Sequence, residues 1–198
     1  MDHYKDLYHL STDDERAKGL VWYNEARSFC QGLADKYNVT LEQAVGVVAA
    51  LSPRCPWNLN CSQAAEFIRK KGRAVHVTTY YNNKEKALAI LKGSNPLDVL
   101  KGSKTRSFYE NILNPDSSQE VTVDTIMIRA FFNDPNHNEH QTFSRPTELR
   151  LISQTIKDLA AEKGLLPLQL QAILWQTWKR ITDTKPFTNE VNYEGLLQ

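Results

Sequence analysis

Leu100-Lys101-Gly102-Ser103-Lys104-Thr105-Arg106, followed by Val121-Thr122-Val123-Asp124-Thr125-Ile126-Met127-Ile128-Arg129, is the stretch on which the reading of this chain turns. Pro96 suits the first turn of a short helix, because the N–H it lacks is one that a helix start leaves unused. Gly102 breaks that helix, and a second begins at once and runs to about Leu113. Two helices around a glycine turn form a hairpin. Its successive backbone N–H groups point outward just ahead of a helix start, which suits an anion such as a phosphate. Lys101, Lys104 and Arg106 add positive charge around that turn. After a polar loop, Asn114 to Glu120, Asp124 heads a helix reaching about Phe132, where aspartate is a favoured N-cap. Each feature also has a plain reading: an inter-helix turn with solvated charges, and a cap and nothing more.

Outward from this stretch the periodicity is helical. Leu20, Trp22, Tyr23, Ala26, Phe29, Cys30 and Leu33 recur at three-to-four spacing between Asp13 and Lys36. Thr40, with Gln43 three residues on, forms a capping box for a helix over Leu41 to Leu51 that is apolar on most sides and so belongs in a core. Ser52-Pro53 stops it. Further helices are expected over Leu59 to Lys71, Lys84 to Lys92, Pro146 to Lys163 and Pro167 to Ile181, with Gly72, Gly93 and Gly164 ending the first three. Val75 to Tyr81 reads as an extended connection, since no partner strand is evident. Asn133 to Arg145 reads as a polar, mobile loop, and 182–198 as a polar tail after a single helical domain over 1–181. Trp22, Tyr23, Trp175 and Trp178 sit at helical spacing and read as core.

Composition narrows the function classes. The chain has 198 residues, 41% hydrophobic and 24% charged, which is ordinary for a globular protein and excludes global disorder. No run approaches the roughly 18 apolar residues that a membrane span needs. The start, Met1-Asp2-His3-Tyr4-Lys5-Asp6, lacks a signal pattern, so the expected location is the cytoplasm, that of a host cell if the gene is viral. With 24 Lys and Arg against 23 Asp and Glu, a uniformly basic coat is excluded, whereas a local basic face is not. Cys30, Cys55 and Cys61 are too few and too oddly spaced for a disulfide framework or a metal site, and read as buried or idle. No cofactor, metal or obligate protein partner is expected.

The hairpin and the downstream acid together resemble the helix–hairpin–helix DNA glycosylases, the endonuclease III superfamily. Their hairpin has the form L-P-G-V-G-x-K-T-A and is followed by V-D-T-x-x-x-R. Lys104 and Thr105 match the hairpin lysine and threonine, Asp124 the aspartate and Arg129 the arginine. The stretch from Ala49 through Ser52-Pro53-Arg54 to Ala64 is similar to the family's L-L-S-Q-Q-T element, a helix end and loop that face the lesion. The chain departs from the pattern in three places. Leu100 stands where the first hairpin glycine is expected, Ser52-Pro53-Arg54 replaces Ser-Gln-Gln, and the cluster cysteines are absent. A nearer likeness is to small bacteriophage proteins with a glycosylase-like helical fold. They share a loop like Leu51-Ser52-Pro53-Arg54 with Trp57 and a helix like Leu170 to Trp178, and such domains are associated with enzymes that hypermodify thymine-type bases.

The resemblance implies an all-α, two-lobed glycosylase-like fold without an iron–sulfur cluster, its lobes flanking a cleft that holds Asp124 and Lys104. It implies an N-glycosylase that cleaves the bond between a damaged or modified base and its deoxyribose, acting on double-stranded DNA with the base flipped out. Asp124 would stabilise the positive charge that develops on the sugar and position water. Lys104 would contact phosphate, or attack the sugar as an amine and add lyase activity. Lys101, Gly102, Ser103, Thr105 and Arg106 would bind the DNA backbone, and Ser52, Pro53, Arg54, Trp57, Asn58 and Asn60 would form the base pocket. Core packing by Trp57 and loop capping by the two asparagines is the alternative for that loop. Two other functions stay open: a base-hypermodification enzyme on the same scaffold, and a non-catalytic DNA or nucleotide binder acting in counter-defence.

Overall fold

The computed structural model describes residues 3–182 and 191–197, and among these the regular structure is entirely α-helical. The elements are α1 (His3–Leu10), α2 (Asp13–Tyr37), α3 (Leu41–Leu51), α4 (Trp57–Arg69), α5 (Tyr81–Leu91), α6 (Pro96–Val99), α7 (Ser103–Leu113), α8 (Thr125–Phe132), α9 (Glu139–Phe143), α10 (Pro146–Lys163), α11 (Pro167–Thr182) and α12 (Tyr193–Leu197). Residues 75–80 form a connection with no strand pairing. None of the described helices is long and apolar enough to cross a membrane.

The chain divides into two compact units, Met1–Asn24 with Asn114–Phe187, and Glu25–Leu113 with Thr188–Gln198. Helix α2 runs through the boundary, so no break in helical pattern marks it. In the first unit α1, α8, α10 and α11 close on a core of Tyr4, Leu7, Met127, Ile128, Ile152, Ile156, Leu159, Leu170, Leu174 and Trp178. Removing such side chains from water is the main stabilising term. Helix α1 is fastened by the buried Tyr4 hydroxyl, which donates to the Met127 carbonyl at 2.7 Å. Glu15 on α2 accepts from the Arg180 guanidinium (2.7 Å) and from Thr177 (3.2 Å), which ties α2 to α11. Burial pushes the Glu15 carboxyl up, but these bonds and that from Thr12 outweigh it and hold it below the usual carboxylate range.

In the second unit α3 is buried from Ala44 to Leu51 and packs against α4, α5, α6 and α7. The Thr40–Gln43 capping box is fully formed. Burial pushes the Cys30 thiol up to about 12 and that of Cys61 higher still. Gly72 and Gly164 end α4 and α10 at φ +73° and +67°, a conformation glycine adopts without cost.

Two connections differ from expectation. Residues 133–145 carry the short helix α9, capped by Asn138. His137 stacks on Phe132 at 4.0 Å, and Arg129 pairs with Glu139 at 3.2 Å. A helix of five residues lies below the length at which periodicity can be read. The end of the chain is not simply a polar tail: Tyr193 bonds Trp57 and packs on Phe29, and Lys36 donates to the Leu197 carbonyl. Residues 183–190 and 198, also part of that expected tail, lie outside the described residues.

Helix α2 approaches α11 at Gly19, where an added Cβ would meet the Ile173 Cγ1 and come within 2.9 Å of the Ile173 backbone nitrogen. Further along α2, at Gly32, the obstruction is only the end of the Leu197 side chain, at 2.6 Å. Alanine in place of glycine gains about 1 kcal/mol of helix propensity at either site, whereas overpacking against backbone costs about 1–3 kcal/mol. Gly19→Ala therefore lowers the unfolding free energy in urea denaturation, and Gly32→Ala does so far less or not at all. Equal losses for both would contradict the close approach at Gly19.

Candidate functional site

The carboxylate of Asp124 is built into the first unit by residues from four parts of the chain. The lead-in Val121-Thr122-Val123 is buried, and the Tyr23 hydroxyl of α2 lies 3.2 Å from that of Thr122 while donating to Gln171 Oε1 of α11 at 2.7 Å. Asp124 is the N-cap of α8: Oδ1 accepts from the Met127 backbone N–H at 2.9 Å. Its other oxygen, Oδ2, accepts from Trp175 Nε1 at 3.1 Å. The side chain is half-buried and its carboxylate orientation is set by one backbone and one indole donor. Trp175 itself is half-buried, whereas Tyr23 and Trp178 lie in the core as their spacing suggests. Arg129, one turn further along α8, is occupied by Glu139, and its Nε is buried without a hydrogen-bond partner. Burial pushes the Glu139 carboxyl up, and its own backbone bond together with Arg129 more than reverses this.

Lys104 and the other hairpin residues belong to the second unit. Asn95 caps α6, with Pro96 opening it. Leu100, the residue at the first glycine position of the compared motif, is fully buried and donates its N–H to the Pro96 carbonyl. Leu100 thus anchors the turn in the core, and Lys101, Gly102 and Ser103 are left exposed ahead of α7. Gly102 has no side chain with which to cap that helix, whose first N–H groups have no intrahelical partner. Thr105 Oγ1 folds back onto the Gly102 carbonyl at 3.1 Å. Lys104 and Thr105 are half-buried and Arg106 is exposed. Among the described residues Lys101, Lys104 and Arg106 make no ion pair with a carboxylate, whereas Arg69 and Lys70 of the basic run at the end of α4 both engage Glu66.

The loop from Ser52 to Pro56 and the first turn of α4 border this hairpin within the same unit. The Lys104 ammonium acts on the Cys55 thiol, and Trp57 meets Phe108 of α7 edge to face at 6.2 Å. Burial pushes the Cys55 thiol up, with the bond from Thr78 and then Lys104 opposing it. Three of the expected pocket residues spend their polar groups inside the unit. Ser52 Oγ donates to the Ala49 carbonyl, Trp57 Nε1 to the Tyr193 hydroxyl and Asn60 Nδ2 to the Val48 carbonyl. Asn60 Oδ1 is buried without a partner. Pro53 is half-buried, and Arg54 and Asn58 are exposed. Arg54 takes a left-handed backbone at φ +59°, and its guanidinium donates to the Tyr80 hydroxyl at 2.9 Å.

Residues 25–113 carry 13 Lys and Arg against 7 Asp and Glu, so the near-neutral whole conceals a basic span that contains both hairpin and loop. Among the described residues no three His, Cys, Asp or Glu side chains gather as metal ligands. The bond from Trp175 to Asp124 and the exposed Tyr80-Tyr81 pair escaped the sequence reading. The first joins residues 51 apart, and the second was absorbed into an extended connection.

Residues 1–182 match DUF7178, a family of unknown function, and the chain belongs to that family. No curated protein and no solved structure matches it.

The capping role of Asp124 can be separated from any chemistry. Asp124→Ala removes the cap and leaves the Trp175 N–H without its acceptor, and is expected to cost about 1–2 kcal/mol in urea denaturation. Asp124→Asn keeps an oxygen for Met127 but turns its amide NH2 toward the Trp175 N–H, so it is expected to cost less than Asp124→Ala only by the cap, about 1 kcal/mol. Equal losses would mean that the cap does not hold the residue.

Proposed function

We propose that the protein binds DNA through the glycine turn before α7 and acts on a base, most concretely as an N-glycosylase on a two-lobed helix–hairpin–helix scaffold. The observation that carries the reading is the trio Lys101, Lys104 and Arg106. These cations surround an uncapped helix start, have no carboxylate partner among the described residues, and border the loop that resembles a lesion-facing element. A phosphate is the anion such a turn suits.

In this reading Lys101, Gly102, Ser103, Thr105 and Arg106 hold the backbone, and Lys104 contacts a phosphate beside the target nucleotide. Arg54 and Asn58, the exposed ones among the expected pocket residues, meet the flipped base or the gap it leaves. Ser52, Trp57 and Asn60 support the loop from within. Glycosidic cleavage builds positive charge on the sugar, so a fixed carboxylate stabilises the transition state more than the ground state. Asp124, its orientation set by Met127 and Trp175, is suited to that task and to orienting water.

The test is to incubate the protein with duplexes each carrying one altered base, and to analyse both the released bases and the digested DNA by mass spectrometry. The expected result is a released free base and an abasic site, with the rate lowered about 100-fold or more in Asp124→Asn. Turnover that survives in Asp124→Asn contradicts the mechanism. A base of changed mass in otherwise intact DNA contradicts glycosylase action and points to hypermodification. Binding without any turnover points to a non-catalytic binder. Borohydride trapping separates the two roles of Lys104, since a sugar Schiff base leaves protein covalently attached to DNA.

A further inference from the structure

Two adjacent tyrosines at the start of α5 lie open to solvent, Tyr80 at 54% and Tyr81 at 73% exposure. Their backbone is held firmly. Thr78 N–H and its hydroxyl both bond Gln63 Oε1 of α4, at 3.2 and 3.3 Å. Asn83 donates to Thr79 at 2.9 Å, and Lys84 to the Val75 carbonyl at 2.7 Å. Arg54 reaches across from the neighbouring loop, its guanidinium carbon 5.6 Å from the Tyr80 ring centre and Nη1 bonded to the hydroxyl. It does so from a left-handed backbone that is costly for a residue with a Cβ, and strain of this kind gathers where function requires it. Cys55, next to Arg54, accepts from the Thr78 hydroxyl at 3.3 Å, and Trp57 meets Phe108 of α7 edge to face, so contacts within one unit join the tyrosine segment, the loop and the helix that the hairpin opens.

We propose that Tyr80, with Tyr81 and Arg54, is a stacking platform for the bases of an unpaired DNA strand whose phosphates run along the basic hairpin. The proposal rests on the DNA-binding reading above and adds to it a preference for unpaired nucleotides. Every base has a flat π face that an exposed ring can accept, while the surplus of Lys and Arg over residues 25–113 complements the phosphates. The fixed backbone at 78–84 presents the Tyr80 ring already in place, so little ordering cost opposes stacking. A guanidinium against the same ring adds a cation for the neighbouring phosphate or base.

Fluorescence anisotropy with a labelled single strand, and with the same strand annealed to its complement, tests this at low salt. Tyr80→Ala is expected to weaken single-strand binding about tenfold and to leave fully paired duplex binding within about twofold. Tyr80→Phe keeps the ring, loses only the hydroxyl that Arg54 bonds, and is expected to bind the single strand nearly as the unchanged protein does. Circular dichroism melting confirms that the exposed substitutions leave the fold intact. If Tyr80→Ala and Tyr81→Ala bind the single strand normally while Lys101→Ala with Arg106→Ala binds it weakly, the platform is overturned and the DNA-binding reading stands. If the unchanged protein binds neither probe, both fall together.

Discussion

The two bonds to Asp124 are the constraint on which the account depends. A carboxylate at a helix start satisfies one backbone N–H, and most N-caps stop there, with the second oxygen facing water. Here the second oxygen is met by the indole of Trp175, so the group is fixed at both ends. That arrangement requires α11 to lie where its indole reaches α8. Three features keep it there: the Gly19 approach of α2 to Ile173, the Tyr23–Gln171 bond and the Glu15 pair with Arg180. These contacts hold α11 where Trp175 meets Asp124.

The second unit uses its charges differently. Arg69 and Lys70 pair with the local carboxylate of Glu66, whereas Lys71, Arg73, Lys86 and Lys92 of the same unit make no ion pair among the described residues. Exposed pairs of that kind contribute little to stability. Around the glycine turn the cations likewise have no carboxylate partner among the described residues, and the turn itself is pinned by burial of Leu100 and by the Thr105 hydroxyl on the Gly102 carbonyl. The turn is therefore held from below and open above, which is the geometry that recognition of an external anion requires. Membership of a family of unknown function leaves these local arrangements as the basis of the functional reading.

Much of the helical order was legible because it is written locally. Thr40 with Gln43, Asp124, Gly164, and Pro96 followed by Gly102 mark helix ends through chemistry confined to a few neighbouring residues. The short helices α1, α9 and α12 were not legible. α9 and α12 have five residues each and α1 has eight, too few for periodicity to stand out, and each is held by tertiary bonds: Tyr4 on Met127, Glu139 on Arg129, Tyr193 on Trp57. The position of the boundary between the two units was hidden because α2 passes through it without a break. Within the site, Asp124 and the hairpin stood out as motif residues. The Trp175 bond did not, because an indole at helical spacing reads as core whether or not its nitrogen finds a distant partner. The loop residues divided by burial, and Arg54 and Asn58 carry the exposed part while Trp57 and Asn60 serve the interior.

The most direct measurement is a crystal structure of the protein bound to a duplex in which one nucleotide carries a cationic nitrogen in place of the reacting sugar carbon. The expected result is the Asp124 carboxylate against that nitrogen, with a phosphate of the same or the adjacent nucleotide on the backbone amides beginning at Gly102. A duplex seated with the carboxylate away from the sugar, or with the turn facing solvent, would contradict it.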